Sequence, residues 1–159
     1  MEFKINSSAV CGFIGYGSWA TALVHTIHTN RQSIWWHVRN PEVLESLKNE
    51  GRNAKYLNDI EFDTNLINAT ADINEVVANS DIIIIAAPSA YLKSFLDGLT
   101  VSLEDKFILS ATKGIIPDDY KTVTEFFHDT YDIPYSQLGI ISGPSHAEEV
   151  SRDRLSYLT

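Results

Sequence analysis

The stretch Gly12-Phe13-Ile14-Gly15-Tyr16-Gly17-Ser18-Trp19-Ala20-Thr21 decides the fold. Three glycines fall within six residues, after an apolar run and before a helix-like segment. Glycine loses more backbone freedom on folding than any other residue, so such a cluster marks a turn whose geometry excludes side chains. The run 8–14 predicts a strand, with Gly12 placed where another element packs close. Residues 18–29 predict a helix with Ala20, Leu23 and Ile27 on one side.

Outward from this turn, strands and helices alternate. Residues 33–38 (SIWWHV) predict a second strand, with Trp35 and Trp36 facing opposite sides as core residues. Pro41 opens a helix over 41–50 and Gly51 stops it. Residues 52–65 show no periodicity and form a loop. A weak strand at 66–70 and a short helix at 71–80 follow. Asp81 and Pro88 bracket four consecutive isoleucines at 82–85. An uninterrupted β-branched run fits a strand buried on both faces, as in a parallel sheet. Helices are expected at 89–99 and 118–132, strands at 106–112 and 137–143, and a helix start at 145–152. The end of the chain, 156–159, reads as a sixth or seventh strand. The expectation is an α/β, doubly wound, mostly parallel sheet of Rossmann-like type, one domain over 1–159.

In that setting Gly15-x-Gly17-x-x-Ala20 has the context of a dinucleotide-binding fingerprint. Gly15 makes the tight turn, and Gly17 lets a pyrophosphate approach the backbone. Ala20, in place of a third glycine, keeps helix and strand close. N–H groups at the helix start bind phosphate oxygens. A site selecting NAD places an acid about 20 residues past the glycines for the ribose 2′-hydroxyl. Residues 35–40 hold no acid, but Arg39 stands there. Arginine pairs with a 2′-phosphate, so NADP is expected to be accepted beside NAD.

The 159 residues are 44% hydrophobic and 21% charged, with net charge −9, as in a globular domain. The acidic balance speaks against nucleic acid or an anionic membrane as the main partner. It leaves room for a local basic pocket. The single cysteine, Cys11, excludes an intrachain disulfide and reads as a small buried hydrophobe. With no secretory signal it suggests a reducing, cytoplasmic setting. No apolar run reaches the roughly 18 residues of a membrane span. The glycosylation-like triplets at Asn6 and Asn68 are chance matches, and no His, Cys and acid spacing suggests a metal. His25 and His28 are expected at the surface or at an interface, and His128 at the surface.

Several segments together resemble the NAD(P)-dependent glycerol-3-phosphate dehydrogenases. Residues 15–23 (GYGSWATAL) resemble that family's G-x-G-S-W-G-T-A-L. Asn53 and Lys55-Tyr56-Leu57 resemble its N-x-x-Y/F-L-P segment, and Ala87-Pro88-Ser89 its V-P-S. Residues 110–115 (SATKGI) are close to A-T-K-G-[IL]. Residues 142–150 (SGPSHAEEV) follow S-G-P-[ST]-F-A-x-E-[VL]. Ala20 for glycine, Asn58 for proline and His146 for phenylalanine are departures.

The resemblance implies hydride transfer between a nicotinamide and C2 of glycerol 3-phosphate or dihydroxyacetone phosphate, feeding glycerophospholipid synthesis. It places Lys113 against both cofactor and substrate, as the catalytic cation of this half. It assigns substrate hydroxyls to Gly143 and Ser145. Ser18 and Trp19 lie over the pyrophosphate and nicotinamide side, and Ala147 lies at the nicotinamide end. Tyr56 and Pro88 also contact cofactor. A second copy of the chain is a candidate partner. Family members continue into an all-helical substrate domain with a second lysine. The chain therefore reads as part of a longer enzyme, expected to bind nucleotide without turnover. The alternatives are a non-catalytic NAD(P)-binding module, or a related dehydrogenase acting on 3-hydroxyacids or ketopantoate.

Overall fold

The computed structural model describes residues 7–30, 32–152 and 158–159. Six strands form one parallel sheet: β1 (Cys11–Ile14), β2 (Ile34–His37), β3 (Ile67–Thr70), β4 (Ile82–Ile85), β5 (Phe107–Ser110) and β6 (Leu138–Ile140). Their order is β3-β2-β1-β4-β5-β6, so the sheet winds outward in both directions from the β1–β4 pair. This is the doubly wound α/β sheet that the strand–helix alternation predicts. The helices are α1 (Ser18–His28), α2 (Pro41–Glu50), α3 (Ile73–Ala78), α4 (Leu92–Phe95), α5 (Val123–Tyr131) and α6 (Ala147–Val150).

The isoleucine run is the spine. All four side chains are buried, and they divide between the two faces. Ile82 and Ile84 join Phe13, Trp36, Val43 and Leu47. Ile83 and Ile85 join Leu92, Phe95, Phe126 and Phe127. Each buried isoleucine contributes roughly 1.5–3 kcal/mol. Alternation along one strand thus builds two cores at once.

Local signals set the helix ends. Asn40 accepts the Val43 N–H at 3.1 Å, Pro41 takes the first turn, and Gly51 closes α2 with φ 66°. Thr122 and Glu125 form a reciprocal capping box at α5. That box corrects the expected helix over 118–132. Residues 118–121 instead make a turn in which Ile116 pairs with Lys121 and Tyr120 takes φ 52°. Asp119 there binds Lys93 at 2.7 Å. The expected helix over 89–99 is also broken, into a 3₁₀ turn (Ser89–Tyr91) and α4, before Gly98 at φ 83°. Residues 156 and 157 of the expected last strand lie outside the described residues. Thr159 exchanges two backbone hydrogen bonds with Ser142, at 2.8 and 2.9 Å.

Three histidines depart from the surface placement. His28 and His25 are half-buried against the Phe62 ring, with centroids 5.5 and 6.3 Å away. His28 Nε2 accepts the Asp63 N–H at 2.9 Å, which ties α1 to the 52–65 loop. His128 stacks on Tyr135 at 4.2 Å, and its Nδ1 lies 2.8 Å from the Ile133 carbonyl. Trp36 is fully buried, whereas Trp35 is only half-buried. Cys11 is buried beside Asp81, and burial raises its thiol pKa.

Gly12 lies where Ser80 and Val76 press on β1. A Cβ there would sit 2.9 Å from Ser80 Cβ and from Val76 Cγ1. Gly12→Ala is therefore expected to cost about 1–3 kcal/mol through overpacking. A urea unfolding midpoint equal to that of the parent chain would contradict this packing.

Candidate functional site

Two cavities open side by side at the carboxyl ends of the central strands, where the winding reverses. One, of about 470 Å³, lies between the glycine turn, the exit of β4, the exit of β5 and the start of α6. It is lined by Ser18, Trp19, Lys113, Ser145, His146 and Ala147 among others. The second, of about 320 Å³, is lined by Tyr16, Arg39, Tyr56, Tyr91 and Phe95. Gly17 and Pro88 line both. Among the described residues no Asp or Glu lines either cavity.

The glycines divide the work. Gly15 has φ 113°, and a Cβ on it would lie 2.7 Å from the Ala86 carbonyl and the Ala87 nitrogen. Its carbonyl accepts the Trp36 indole N–H at 2.7 Å. Gly17 has an ordinary φ of −74°, and a Cβ on it would meet no protein atom within 4 Å. Gly15 is thus fixed by the protein, while Gly17 faces open space.

The start of α1 is left open as well. Asn40, Asp72 and Thr122 cap α2, α3 and α5 with their side chains. Gly17 at the start of α1 provides no such cap, and no acid stands in that first turn. The unpaired N–H groups and the positive end of the helix therefore suit an anion.

Each cavity holds a cation on an aromatic ring. Lys113 Nζ lies 5.9 Å from the Trp19 ring centroid. Thr112 steadies the lysine's segment by donating to the Ala87 carbonyl at 2.8 Å. The Arg39 guanidinium lies 3.6 Å over the Phe95 ring, and its Nη1 donates to the Ser94 carbonyl at 2.7 Å. Arg39 is exposed, yet held in one place. Tyr56 is 38% exposed at the cavity edge. Ala20 is fully buried in α1 and lines neither cavity. Gly143 also lies outside both linings, two residues before the buried Ser145. Sequence reasoning singled out neither Thr112 nor Thr21 as a site residue. Their flanking motifs drew the eye, but the partners are carbonyls in other elements or turns. Among the described residues no cluster could hold a metal ion, and no helix is long and apolar enough to cross a membrane.

The fold and the two cavities define a Rossmann-like domain with an open glycine cradle at its switch point. The family model for the N-terminus of NAD-dependent glycerol-3-phosphate dehydrogenase matches residues 10–159, and the chain belongs to that family. A glycerol-3-phosphate dehydrogenase [NAD(P)+] of Macrococcus caseolyticus is 33% identical over 140 residues, 87% of this chain and 42% of that protein. The same-named protein of Oceanobacillus iheyensis is 34% identical over 139 residues, 87% of this chain and 40% of the other. The chain thus spans about two-fifths of the length of these curated relatives. Among solved structures, Plasmodium falciparum glycerol-3-phosphate dehydrogenase superposes with TM-score 0.77 at 24% identity, over 94% of this chain and 44% of that one. The Dunaliella salina enzyme DsGPDH gives TM-score 0.81 at 18% identity, over 94% of this chain and 29% of that one. At those identities the likeness bears on the fold.

Two predictions follow from the turn and its surroundings. Gly15→Ala combines backbone strain with a backbone clash and should cost about 3 kcal/mol or more. Gly17→Ala should cost only about 0.5–1 kcal/mol, as a poorer cap that meets no clash. Equal losses in urea unfolding of the two variants would contradict the division of roles. The second concerns His37, at the end of β2, which burial pushes down from 6.5 to about 4. Arg39 adds to that shift, while a hydrogen bond to the Ala71 backbone and the Asp72 charge oppose it. Above pH 6.5 both folded and unfolded chains leave this ring neutral, and the full stability is present. Between pH 6.5 and 4 only the unfolded chain takes the proton, so stability falls as pH falls, by about 3 kcal/mol in all. His28, also lowered by burial, acts in the same direction. An NMR titration of the folded chain in which His37 protonates near pH 6 would remove this prediction.

Proposed function

We propose that this chain binds NAD or NADP across the two cavities as the nucleotide-binding part of a glycerol-3-phosphate dehydrogenase. The observation that carries the reading is the uncapped start of α1 behind the open Gly17 cradle, with a cavity on either side that no acid among the described residues lines. A dinucleotide has the matching pattern: a central pyrophosphate and two heterocyclic ends. The residues fit such a group. Main-chain N–H groups of Gly17, Ser18 and Trp19 would hold the pyrophosphate. The cavity of Arg39, Tyr56 and Pro88 would take the adenosine end, with Arg39 pairing a 2′-phosphate bidentately. Trp19 and Ala147 would border the nicotinamide end in the larger cavity.

The bound cofactor supplies the hydride chemistry. The reaction in this reading interconverts glycerol 3-phosphate and dihydroxyacetone phosphate, a step toward glycerophospholipids. Lys113 places a fixed positive charge where oxygen develops negative charge and where a phosphate-bearing substrate enters. Ser145 and the backbone at Gly143 would orient the substrate hydroxyls. His146 stands at the same cavity and offers a polar imidazole where the family pattern has phenylalanine. The whole chain, 1–159, acts in this reading as one nucleotide-binding domain in the cytoplasm.

Calorimetric titration of the chain with NADPH and NADH tests the proposal. Arg39→Ala should weaken NADPH by about tenfold or more, the worth of one charge-assisted pair, and leave NADH nearly unchanged. Gly17→Val should weaken both, because its side chain would occupy the pyrophosphate cradle. No heat with either nucleotide, under conditions where the parent chain is folded, would overturn the assignment.

A further inference from the structure

Asn53 is wholly buried behind the glycine turn and makes four hydrogen bonds. Its Nδ2 donates to the Tyr16 carbonyl and to Thr21 Oγ1, each at 2.9 Å. Its Oδ1 accepts the N–H groups of Lys55 and Tyr56, each at 3.1 Å. The Thr21 hydroxyl gives its own proton to the Gly17 carbonyl at 2.8 Å. That hydroxyl can therefore only accept from Asn53, which fixes which end of the amide is nitrogen. Both donors and both acceptor sites of the amide are used. Aspartate could not donate, and glutamine is a methylene too long.

The consequence follows from peptide geometry. In a planar trans peptide the C=O and the next N–H point in opposite directions. With the Tyr16 carbonyl drawn to Asn53, the Gly17 N–H is aimed the other way. The Gly17 carbonyl accepts both the Thr21 main-chain N–H, at 2.9 Å, and the Thr21 hydroxyl, and these two bonds together aim the Ser18 N–H likewise. These are two of the donors that would meet the pyrophosphate. The same Asn53 side chain holds the backbone of Tyr56 at the edge of the Arg39 cavity.

We propose that Asn53 is a positioning residue for dinucleotide binding: by its bond to the Tyr16 carbonyl it aims the Gly17 N–H, through Thr21 it steadies the aim of the Ser18 N–H, and through its own carbonyl it sets Tyr56, so that the cradle and the Arg39 cavity keep one fixed spacing. The inference rests on the nucleotide reading above. A ligand that spans cradle and cavity benefits from the fixed spacing, whereas a ligand confined to the cavity does not.

The test compares NADPH with adenosine 2′-monophosphate, which carries the adenosine and 2′-phosphate but no pyrophosphate. Titrations use the full chain, Asn53→Ala, Thr21→Val and Thr21→Ser, with Gly12→Ala as a destabilised variant remote from both cavities. Asn53→Ala and Thr21→Val should each weaken NADPH by at least about fivefold more than they weaken the monophosphate, roughly 1 kcal/mol of selective loss. Thr21→Ser, which restores the hydroxyl, should recover parent affinity, and Gly12→Ala should bind as the parent does. A smaller selective loss, or equal weakening of the two ligands, would overturn the positioning role. So would a Thr21→Ser variant as weak as Thr21→Val, a comparison that stands even where Asn53→Ala fails to fold. A parent chain that binds neither ligand would sink the nucleotide reading itself, and this inference with it.

Discussion

At Gly15 the chain leaving β1 passes so close to the chain leaving β4 that no side chain fits between them. A Cβ would stand 2.7 Å from three backbone atoms of Ala86 and Ala87. Much else is arranged around this approach. It lets the backbone take φ 113° without a competing side chain, which swings Tyr16 and Gly17 out of the sheet. It starts α1 above the seam where strand order reverses. It also brings the exit of β4, with Pro88, to the rim of both cavities. The Trp36 indole locks the arrangement from behind by bonding the Gly15 carbonyl, and Trp36 is itself held edge-on to Phe62 at 5.6 Å.

The turn creates a cost that other contacts must meet. A side-chain cap is worth about 1 kcal/mol, and α1 begins without one. Its stability comes instead from the face it buries. Ala20, Thr21, Ala22, Leu23 and Val24 are all shielded from water. Thr21 and Asn53 add hydrogen bonds on the carbonyl side, leaving the N–H side unbonded. His28 anchors the far end of α1 to the 52–65 loop. The helix is thus held by its side and its tail, and its first turn stays available. A capping serine or aspartate would make a steadier helix and would place oxygen where an anion is to bind.

What the sequence made legible was local. The isoleucine run announced a strand buried on both faces because no polar residue interrupts it. Pro41 and Gly51 bounded α2 through backbone constraints that act within one residue. The glycine turn and Arg39 were legible from spacing along two adjacent strands. The misplacements have two causes. Residues 118–121 look helical, but the neighbouring capping box and the Ile116–Lys121 pair make them a turn, which Lys93 then ties down through Asp119. Elsewhere the deciding partner is distant in sequence. His28 looks exposed until the Asp63 N–H reaches it across 35 positions. Asn53 was noticed as the head of a loop motif, but its bonds to Tyr16 and Thr21 lie 37 and 32 residues away. Periodicity carries no information about such pairs.

Net charge and site charge are decoupled here. With a formal charge of −9 the chain repels polyanions over its surface as a whole. Beyond about 8 Å at physiological salt, however, exposed charges are largely screened, so a small anion responds to the lining it touches. Those linings hold Arg39 and Lys113 and, among the described residues, no carboxylate. The acids gather elsewhere: Glu42, Glu45 and Glu50 line a separate groove on α2. Both cations rest on aromatic faces, which restrains them without neutralising them, as a carboxylate partner would. An acidic protein can in this way keep two free positive charges at the carboxyl edge of one sheet, and the pairing of ring with cation is what keeps them free.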